Sequence, residues 1–301
     1  MGDRIGHGTF GICHRGISKK DLNEYCIKQI KKGTQTQYKR EVVLASRVDH
    51  PSICSPKSVF ETQDEVFVVT DFYRGGELFD FIADHNMFLG TLSEFNALCL
   101  AREMLVALEV CHKAEFAHLD VKPENFVFRV PPAQVEDDFR NKLAGNLILI
   151  DFGAAQPFRL KGYASRSSQY DKDMDDYMPG EAATILGGTA SYVSPEVLHG
   201  RFSSRSDLWS LGVTLFIMIA GRRPFDIDSN PNIFEKEVKL KITEEAALPL
   251  GLSLYSTCEE LGLAKSSTIS LLLNMMHPEP NLRNSATELI EMIDDILENE
   301  Y

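Results

Sequence analysis

The chain has 301 residues, 44% of them apolar, enough for one large domain or two smaller ones with a real core. Its net charge of -13 disfavours nucleic acid and anionic membrane as partners and would mildly attract basic proteins. The six scattered cysteines (Cys13, Cys26, Cys54, Cys99, Cys111 and Cys258) include no C-x-x-C pair, which argues against zinc or a disulfide framework and fits a reducing compartment.

The chain opens on Ile5-Gly6-His7-Gly8-Thr9-Phe10-Gly11-Ile12-Cys13, which contains G-x-G-x-x-G. Glycines at that spacing let the backbone turn tightly and approach phosphate oxygens without a Cβ in the way. Dinucleotide-binding folds use the same spacing, but there the loop opens a helix and an acid follows about 20 residues later. Here the loop runs into Ile12-Cys13-His14 and then Glu24-Tyr25-Cys26-Ile27-Lys28, a strand, a turn and a second strand. No signal peptide is visible before this loop, and Gly6 stands where a myristoylation motif wants Ser or Thr. Only five residues precede Gly6, so the chain is expected to be a trimmed core or an incomplete copy of a longer one. The apolar spacing of Tyr38 to Ala45 predicts a helix that carries Glu41, with His50-Pro51-Ser52-Ile53 as a turn after it. Val66 to Thr70 is an apolar strand that leads into Asp71-Phe72-Tyr73-Arg74-Gly75-Gly76-Glu77.

Beyond it the pattern is mostly helical. Leu78 to Ala83 and Glu94 to Cys111 have helical periodicity, with Leu98, Arg102, Leu105 and Leu108 at three- and four-residue spacing. Phe116-Ala117-His118-Leu119-Asp120-Val121-Lys122-Pro123-Glu124-Asn125 follows, and Asp151-Phe152-Gly153 comes shortly after. Two carboxylates, an amide and an ammonium so close in the chain are what phosphoryl transfer needs: a base for a hydroxyl, oxygen ligands for magnesium, and a cation near the moving phosphate. Phe126-Val127-Phe128 and Leu147-Ile148-Leu149-Ile150 read as two strands. Between them Arg129 to Asn146, with Pro131-Pro132 and Glu136-Asp137-Asp138, reads as a surface insertion. Later come Gly188-Thr189-Ala190-Ser191-Tyr192-Val193-Ser194-Pro195-Glu196, Ser206-Asp207-Leu208-Trp209-Ser210-Leu211-Gly212, Pro224-Phe225, and His277-Pro278 to Arg283. The most apolar run, Leu211 to Ala220, is about half of what a bilayer needs and reads as a buried core helix. The expectation is a soluble, cytoplasmic enzyme.

His118 to Asn125 followed by Asp151-Phe152-Gly153 resembles the protein-kinase signature H-R-D-x-K-P-E-N and D-F-G, with Leu119 where arginine usually stands. The other segments resemble, in the same order, the kinase glycine-rich loop, V-A-I-K, helix C, H-P-x-I, hinge, G-T-x-x-Y-x-A-P-E, D-x-W-S-x-G and D-P-x-x-R motifs. The resemblance covers nearly the whole chain. It implies an α+β, bilobal protein-kinase fold over residues 1–301: a small antiparallel β-rich N-lobe with one helix (1–70), a hinge (71–76) and a larger α-helical C-lobe (77–301). The activation segment would span 151–196.

The resemblance also implies roles. ATP and Mg2+ would bind in the cleft, under Ile5, Gly6, His7, Gly8, Thr9, Phe10, Gly11 and Ile12, with Cys13 and Cys26 lining the adenine slot as small apolar substitutes rather than redox groups. Lys28 would hold the α- and β-phosphates, positioned by Glu41, and Asp71 and Tyr73 would belong to the nucleotide-binding hinge with Thr70 as gatekeeper. Asp120 would be the catalytic base and Lys122 the cation beside the transferred phosphate, while Asn125 and Asp151 would hold magnesium. His118 would pack against Phe152, Asp207 would hydrogen-bond the catalytic-loop backbone, and Arg283 would pair with Glu196.

Lys122-Pro123-Glu124 and Thr189 are similar to the serine/threonine type, and the hinge with Gly75-Gly76-Glu77 looks closest to the calcium/calmodulin-dependent kinase group. The implied partners are protein substrates, met by a monomeric core that uses neither nucleic acid nor membrane. The rival is a pseudokinase scaffold, which should have lost Lys28, Asp120, Asn125 or Asp151; none is lost. A small-molecule phosphotransferase should lack the segment ending in Ser194-Pro195-Glu196. Glu77 and Glu124 match acidic positions that receive an arginine three residues before the phosphorylated hydroxyl, whereas Ile217 falls where a further acid would select a second one. Leu186, Ala190 and Val193 would form an apolar pocket for the residue after the hydroxyl. Leucine at 119 has no donor for a phosphate, so activity is expected not to depend on phosphorylation at Ser165, Ser167, Ser168 or Thr184 unless Lys161 or Arg166 takes over as anchor.

Overall fold

In the computed structural model, the described residues are 2–8, 11–32, 41–88, 90–132, 139–157, 178–179, 189–198, 200–224 and 266–301. Thr9, Phe10, Lys161, Ser165, Arg166, Ser167, Ser168, Thr184, Leu186 and Phe225 lie outside them, as do the side chains of His7, Gly8, Thr189 and Ala190.

Five strands form one antiparallel sheet: β1 (Arg4–Gly8), β2 (Gly11–Ile17), β3 (Glu24–Lys31), β4 (Ser58–Glu61) and β5 (Glu65–Asp71), in the order β1-β2-β3-β5-β4. Period-2 alternation puts Cys26, Lys28 and Ile30 on one face of β3, and the register sets Cys13 opposite Lys28, Val68 opposite Lys28 and Thr70 opposite Cys26. Gly11 is glycine for a packing reason: a Cβ there would lie 2.4 Å from the carbonyl oxygen of Gln29. Residues 41–45 are helical and lay Val42 on the small buried cluster of Ile30, Val66 and Val68.

After β5 the chain crosses at Gly75, where a Cβ would meet Phe128 at 2.4 Å, and Gly76 takes a left-handed φ of +82°. The lower half then builds from α1 (Leu78–Phe88), α2 (Glu94–Lys113), α3 (Phe139–Leu143), α4 (Pro195–Leu198), α5 (Ser204–Ala220), α6 (Ser266–Met275) and α7 (Ala286–Asn299). Ser93 caps α2 by accepting from the Asn96 N–H, and capping boxes start α5 (Ser203 with Ser206) and α7 (Ser285 with Glu288). Helix α5 is apolar nearly all round, so it is buried at the centre against α2 and α6, as its composition requires. The sheet above and the helices below bear out the bilobal fold. Among the described residues no helix is long and apolar enough to cross a membrane.

The stretch 129–146 departs from a plain surface insertion. Its described second half forms α3, buries Leu143 in the main core, and ties to α2 through Gly145 N–H donating to Glu103 Oε2 at 2.8 Å. Arg140 and Arg102 both reach Asp294 on α7, which anchors the insertion to two helices. Pro131-Pro132 and the acidic run masked a buried leucine that needed a helix to reach the core.

Candidate active site

Two short ribbons hold the catalytic loop. β6 (Phe116–Ala117) pairs with β9 (Gln156–Pro157), and β7 (Phe126–Phe128) pairs with β8 (Leu147–Leu149), so residues 118–125 and 150–155 emerge side by side. Asp207 of α5, fully buried, fixes the first of them: its carboxylate accepts from the backbone N–H of His118 (2.9 Å) and Leu119 (2.8 Å) and faces His112 Nε2 at 2.8 Å. That grip holds Leu119 at φ +61°, a backbone a branched residue rarely adopts. Its side chain packs on Ala117, Val197 and Phe202, an apolar patch where an arginine would have no counter-ion among these neighbours. His118 is buried, receives the Asp120 N–H on Nδ1 (3.3 Å), directs Nε2 to the Ile150 carbonyl (3.1 Å), and lies edge-on to Phe152 at 5.1 Å.

Above this loop lies a cleft of about 1030 Å³, lined by Ile5, Gly6, Cys13, Cys26, Lys28, Glu41, Asp71, Tyr73, Glu77, Asp120, Lys122, Glu124, Asn125 and Asp151. Of the candidate residues, Gly11 and Ile12 sit on β2 outside that lining, and Thr189 lies in a short turn before Tyr192. The Lys28 ammonium joins the two halves, 2.7 Å from Glu41 Oε1 and 2.8 Å from Asp151 Oδ1. Burial opposes its charge, but the Asp151 and Glu41 carboxylates outweigh that and hold its pKa above an ordinary lysine. Burial raises Glu41, the more enclosed of the two acids; Asp151, also buried, is lowered because Lys28 lies against it and the Gly153 N–H donates to it. Asp151 sits at φ +57°, and Phe152 is turned inward under Phe116 and His118.

Across the cleft, Asp120 Oδ2 takes two donors, Asn125 Nδ2 at 2.8 Å and Lys122 Nζ at 2.9 Å. Asn125 Nδ2 also donates to the Asp120 carbonyl at 2.6 Å. Asp120 Oδ1 is buried with no hydrogen-bond partner among the described residues. An orphaned acceptor facing a cleft is a site for a donor that arrives from outside. A comparable atom is Glu124 Oε2, also buried and unpartnered, and Glu77 is raised by burial and by the nearby carboxylates of Asp80 and Glu124. Three acids thus converge at the cleft mouth.

Beneath the cleft, Glu196 and Arg283 form a two-pronged pair at 2.7 and 2.9 Å, with the guanidinium 5.0 Å over the Trp209 ring. Among the lining residues that escape a reading by motif are Cys54, Asp80 and Arg15. Strand alternation could have found Arg15, two residues from Cys13, and helix spacing could have found Asp80, three from Glu77. Nothing local marks Cys54, which arrives by the bond of its N–H to the Leu149 carbonyl.

A sheet over a helical base, a lysine held by two acids and an aspartate with an unpartnered carboxylate oxygen are the arrangement of a protein kinase domain. The family model for the protein kinase domain matches residues 1–293, and the chain belongs to that family. It is similar to calcium-dependent protein kinase 5 of Plasmodium berghei (strain Anka), 29% identical over 239 residues, covering 78% of this chain and 37% of that protein. It is 32% identical over 244 residues to putative CBL-interacting protein kinase 27 of Oryza sativa subsp. japonica, covering 78% and 52%. With calcium-dependent protein kinase 8 of Arabidopsis thaliana it shares 28% over 298 residues, 97% and 48% of the two lengths. The chain spans about half or less of the length of these curated relatives. Kinases of this family act on proteins and generally use ATP and Mg2+.

Proposed function

We propose that this chain transfers the γ-phosphate of ATP to serine or threonine hydroxyls of proteins, preferring a site with an arginine three residues upstream. The observation that carries this reading is a pair of arrangements in one cleft: Lys28 fixed between Glu41 and Asp151, and Asp120 with one carboxylate oxygen held by Asn125 and Lys122 and the other, Oδ1, without a partner among the described residues. The residues present fit a nucleotide with its metal. Asn125, its nitrogen committed to Asp120, keeps a carbonyl oxygen for a cation, and Asp151 supplies a carboxylate. Magnesium held by these two residues would neutralise charge on the terminal phosphates.

The chain's own groups do the rest. Lys28 presents a rigid ammonium to the phosphates, because two carboxylates leave it no other orientation. Asp120 orients the substrate hydroxyl through Oδ1 and accepts its proton as the oxygen attacks phosphorus. Lys122, tied to the other oxygen of the same carboxylate, sets positive charge beside the moving group. Glu77, Asp80 and Glu124 offer a guanidinium a cluster of carboxylates, which suits the fork of arginine better than the point charge of lysine. Hinge residues 71–76, with Asp71 and Tyr73, seat the adenine end. A radiolabelled ATP assay on a basic protein tests the reading: the chain incorporates phosphate into Ser and Thr, and Asp120→Asn does not. Equal incorporation by the two would reject it.

A further inference from the structure

We propose that Cys13 and Cys26 are a peroxide-sensitive dithiol in the roof of the cleft, and that joining them as a disulfide shuts out the nucleotide; the second half rests on the nucleotide reading above. The register places Cys13 opposite Lys28 and Cys26 opposite Arg15, so the two cysteines stand one diagonal step apart on neighbouring strands. Both face the cavity and both are partly exposed. Cys54, Thr70 and Tyr73 line the same cavity.

The two sulfurs are unequal. The Cys13 thiol and the Thr70 hydroxyl both support a charge on Cys26, against the effect of burial, and lower its pKa. Cys13 is pushed up, because its neighbour holds the charge and burial adds to the cost. This is the division a reactive pair needs, one thiolate to attack and one thiol to follow. Cys54 in the same cavity is pushed up to about 11 by burial, and Cys111 in the helical core is raised the same way.

With hydrogen peroxide as oxidant the steps balance. The Cys26 thiolate attacks one peroxide oxygen, the O–O bond breaks, and the departing hydroxide takes a proton to become water. Cys26 is then a sulfenic acid. The Cys13 sulfur attacks it, the S–S bond forms as the S–O bond breaks, and a second water leaves with the Cys13 proton. Two thiols are oxidised and one peroxide is reduced.

Closing the bridge moves the backbone. Diagonal positions on neighbouring strands have Cα atoms about 7–8 Å apart, while a disulfide spans less than about 7 Å. Strand β2 must therefore shift on β3, and with it the part of the cleft wall that Cys13 lines. The β1–β2 hairpin can do so, since β1 is the sheet edge and its pairing is already irregular between Arg4 and Gly6. Cysteine in place of the usual Val and Ala thus fills the slot and also stores a switch.

The test treats the reduced chain with hydrogen peroxide, blocks remaining thiols, and maps peptides by mass spectrometry without reduction. Binding of a fluorescent ATP analogue is measured before oxidation, after it, and after dithiothreitol. The expected result is a peptide pair linked through Cys13 and Cys26, with binding weakened roughly tenfold or more, as for one lost well-packed contact, and restored by reductant. Cys13→Ser and Cys26→Ser should each abolish the linked peptide and the peroxide-induced change in affinity, taken as a ratio within each variant, while Cys54→Ser keeps both. Absence of the linked peptide, a bridged protein with unchanged affinity, or an equal loss in Cys26→Ser would overturn the proposal. A reduced chain that binds no nucleotide would overturn the gating half and the nucleotide reading together, whereas the linked peptide decides the dithiol by itself.

Discussion

In the helical half, Arg283 and Glu196 lie side by side at 1% and 4% exposure against Trp209, whereas in the sheet half Lys28 and Glu41, at 9% and 8%, line the cleft together with Asp151. The helical pair is enclosed by the main core, and it is further tied by Ser206 Oγ donating to Glu196 and by Arg283 donating to the His277 and Arg205 carbonyls. The sheet has, among the described residues, only Ile30, Val66 and Val68 as a buried apolar cluster of its own, backed by Val42. Similar chemistry therefore serves two ends. A sealed ion pair fixes the platform on which the catalytic loop stands, since Ser206 ties Glu196 to helix α5, whose Asp207 grips His118 and Leu119. A pair on a cleft wall keeps charge available to something that binds.

Exchanging the charge in each half separates these ends. Lys28→Met should lower phosphoryl transfer by about three orders of magnitude or more, because a cation aimed at developing charge is lost. Its unfolding temperature should fall, but less than on opening a fully sealed pair, since the Asp151 side chain keeps 23% exposure. An assay with radiolabelled ATP beside a thermal melt checks both, and turnover equal to wild type would contradict the role of Lys28.

Arg283→Ala should weigh more heavily on stability. Removing one partner of a buried pair leaves the other uncompensated, at a cost of about 3–5 kcal/mol measured by denaturant unfolding. The pair also sets an acid limit. Glu196 is buried, yet Arg283 holds its carboxyl below the ordinary 4.5. The stability it contributes is complete above that ordinary value and is lost as pH falls through the lower folded one. The difference between wild type and Glu196→Gln should accordingly be flat above 4.5 and shrink below it.

At the mouth between the halves effects should be smaller. Glu77→Gln should reduce the preference for arginine three residues upstream about threefold, the scale of a partly solvated ion pair. Because burial and neighbouring acids raise Glu77, that preference should also weaken as pH falls through its raised pKa, sooner than an ordinary glutamate would allow. A peptide array read at several pH values measures both, and indifference to arginine would remove the subsite.

The smallest expected effect concerns Leu119. With its side chain against Ala117, Val197 and Phe202, this position offers nothing to a phosphate. Phosphatase treatment should therefore change activity by less than about twofold, in contrast to loops ordered by a phosphate–arginine contact. A large loss would mean that another basic residue anchors the segment.

Most of the candidate residues that line the cleft could be named from the chain alone. Their types and short spacings, Asp120-x-Lys122 with Asn125 and Asp151-Phe152-Gly153, are set by the distances phosphoryl transfer requires, and period-2 alternation already puts Cys26 and Lys28 on one face of a strand. The bilobal fold followed from the same order. Tertiary structure alone decided what lies between such segments. Cys54 enters the cleft because its backbone bonds to Leu149, Leu143 reaches the core because a proline-rich stretch turns helical after it, and Leu119 finds an apolar patch from residues 197 and 202. The Cys13–Cys26 juxtaposition depends on strand register, which pairing with β3 fixes and composition does not. Each of these is a meeting of surfaces far apart in sequence. Burial, close packing and available hydrogen-bond partners select such meetings, and no local spacing encodes them.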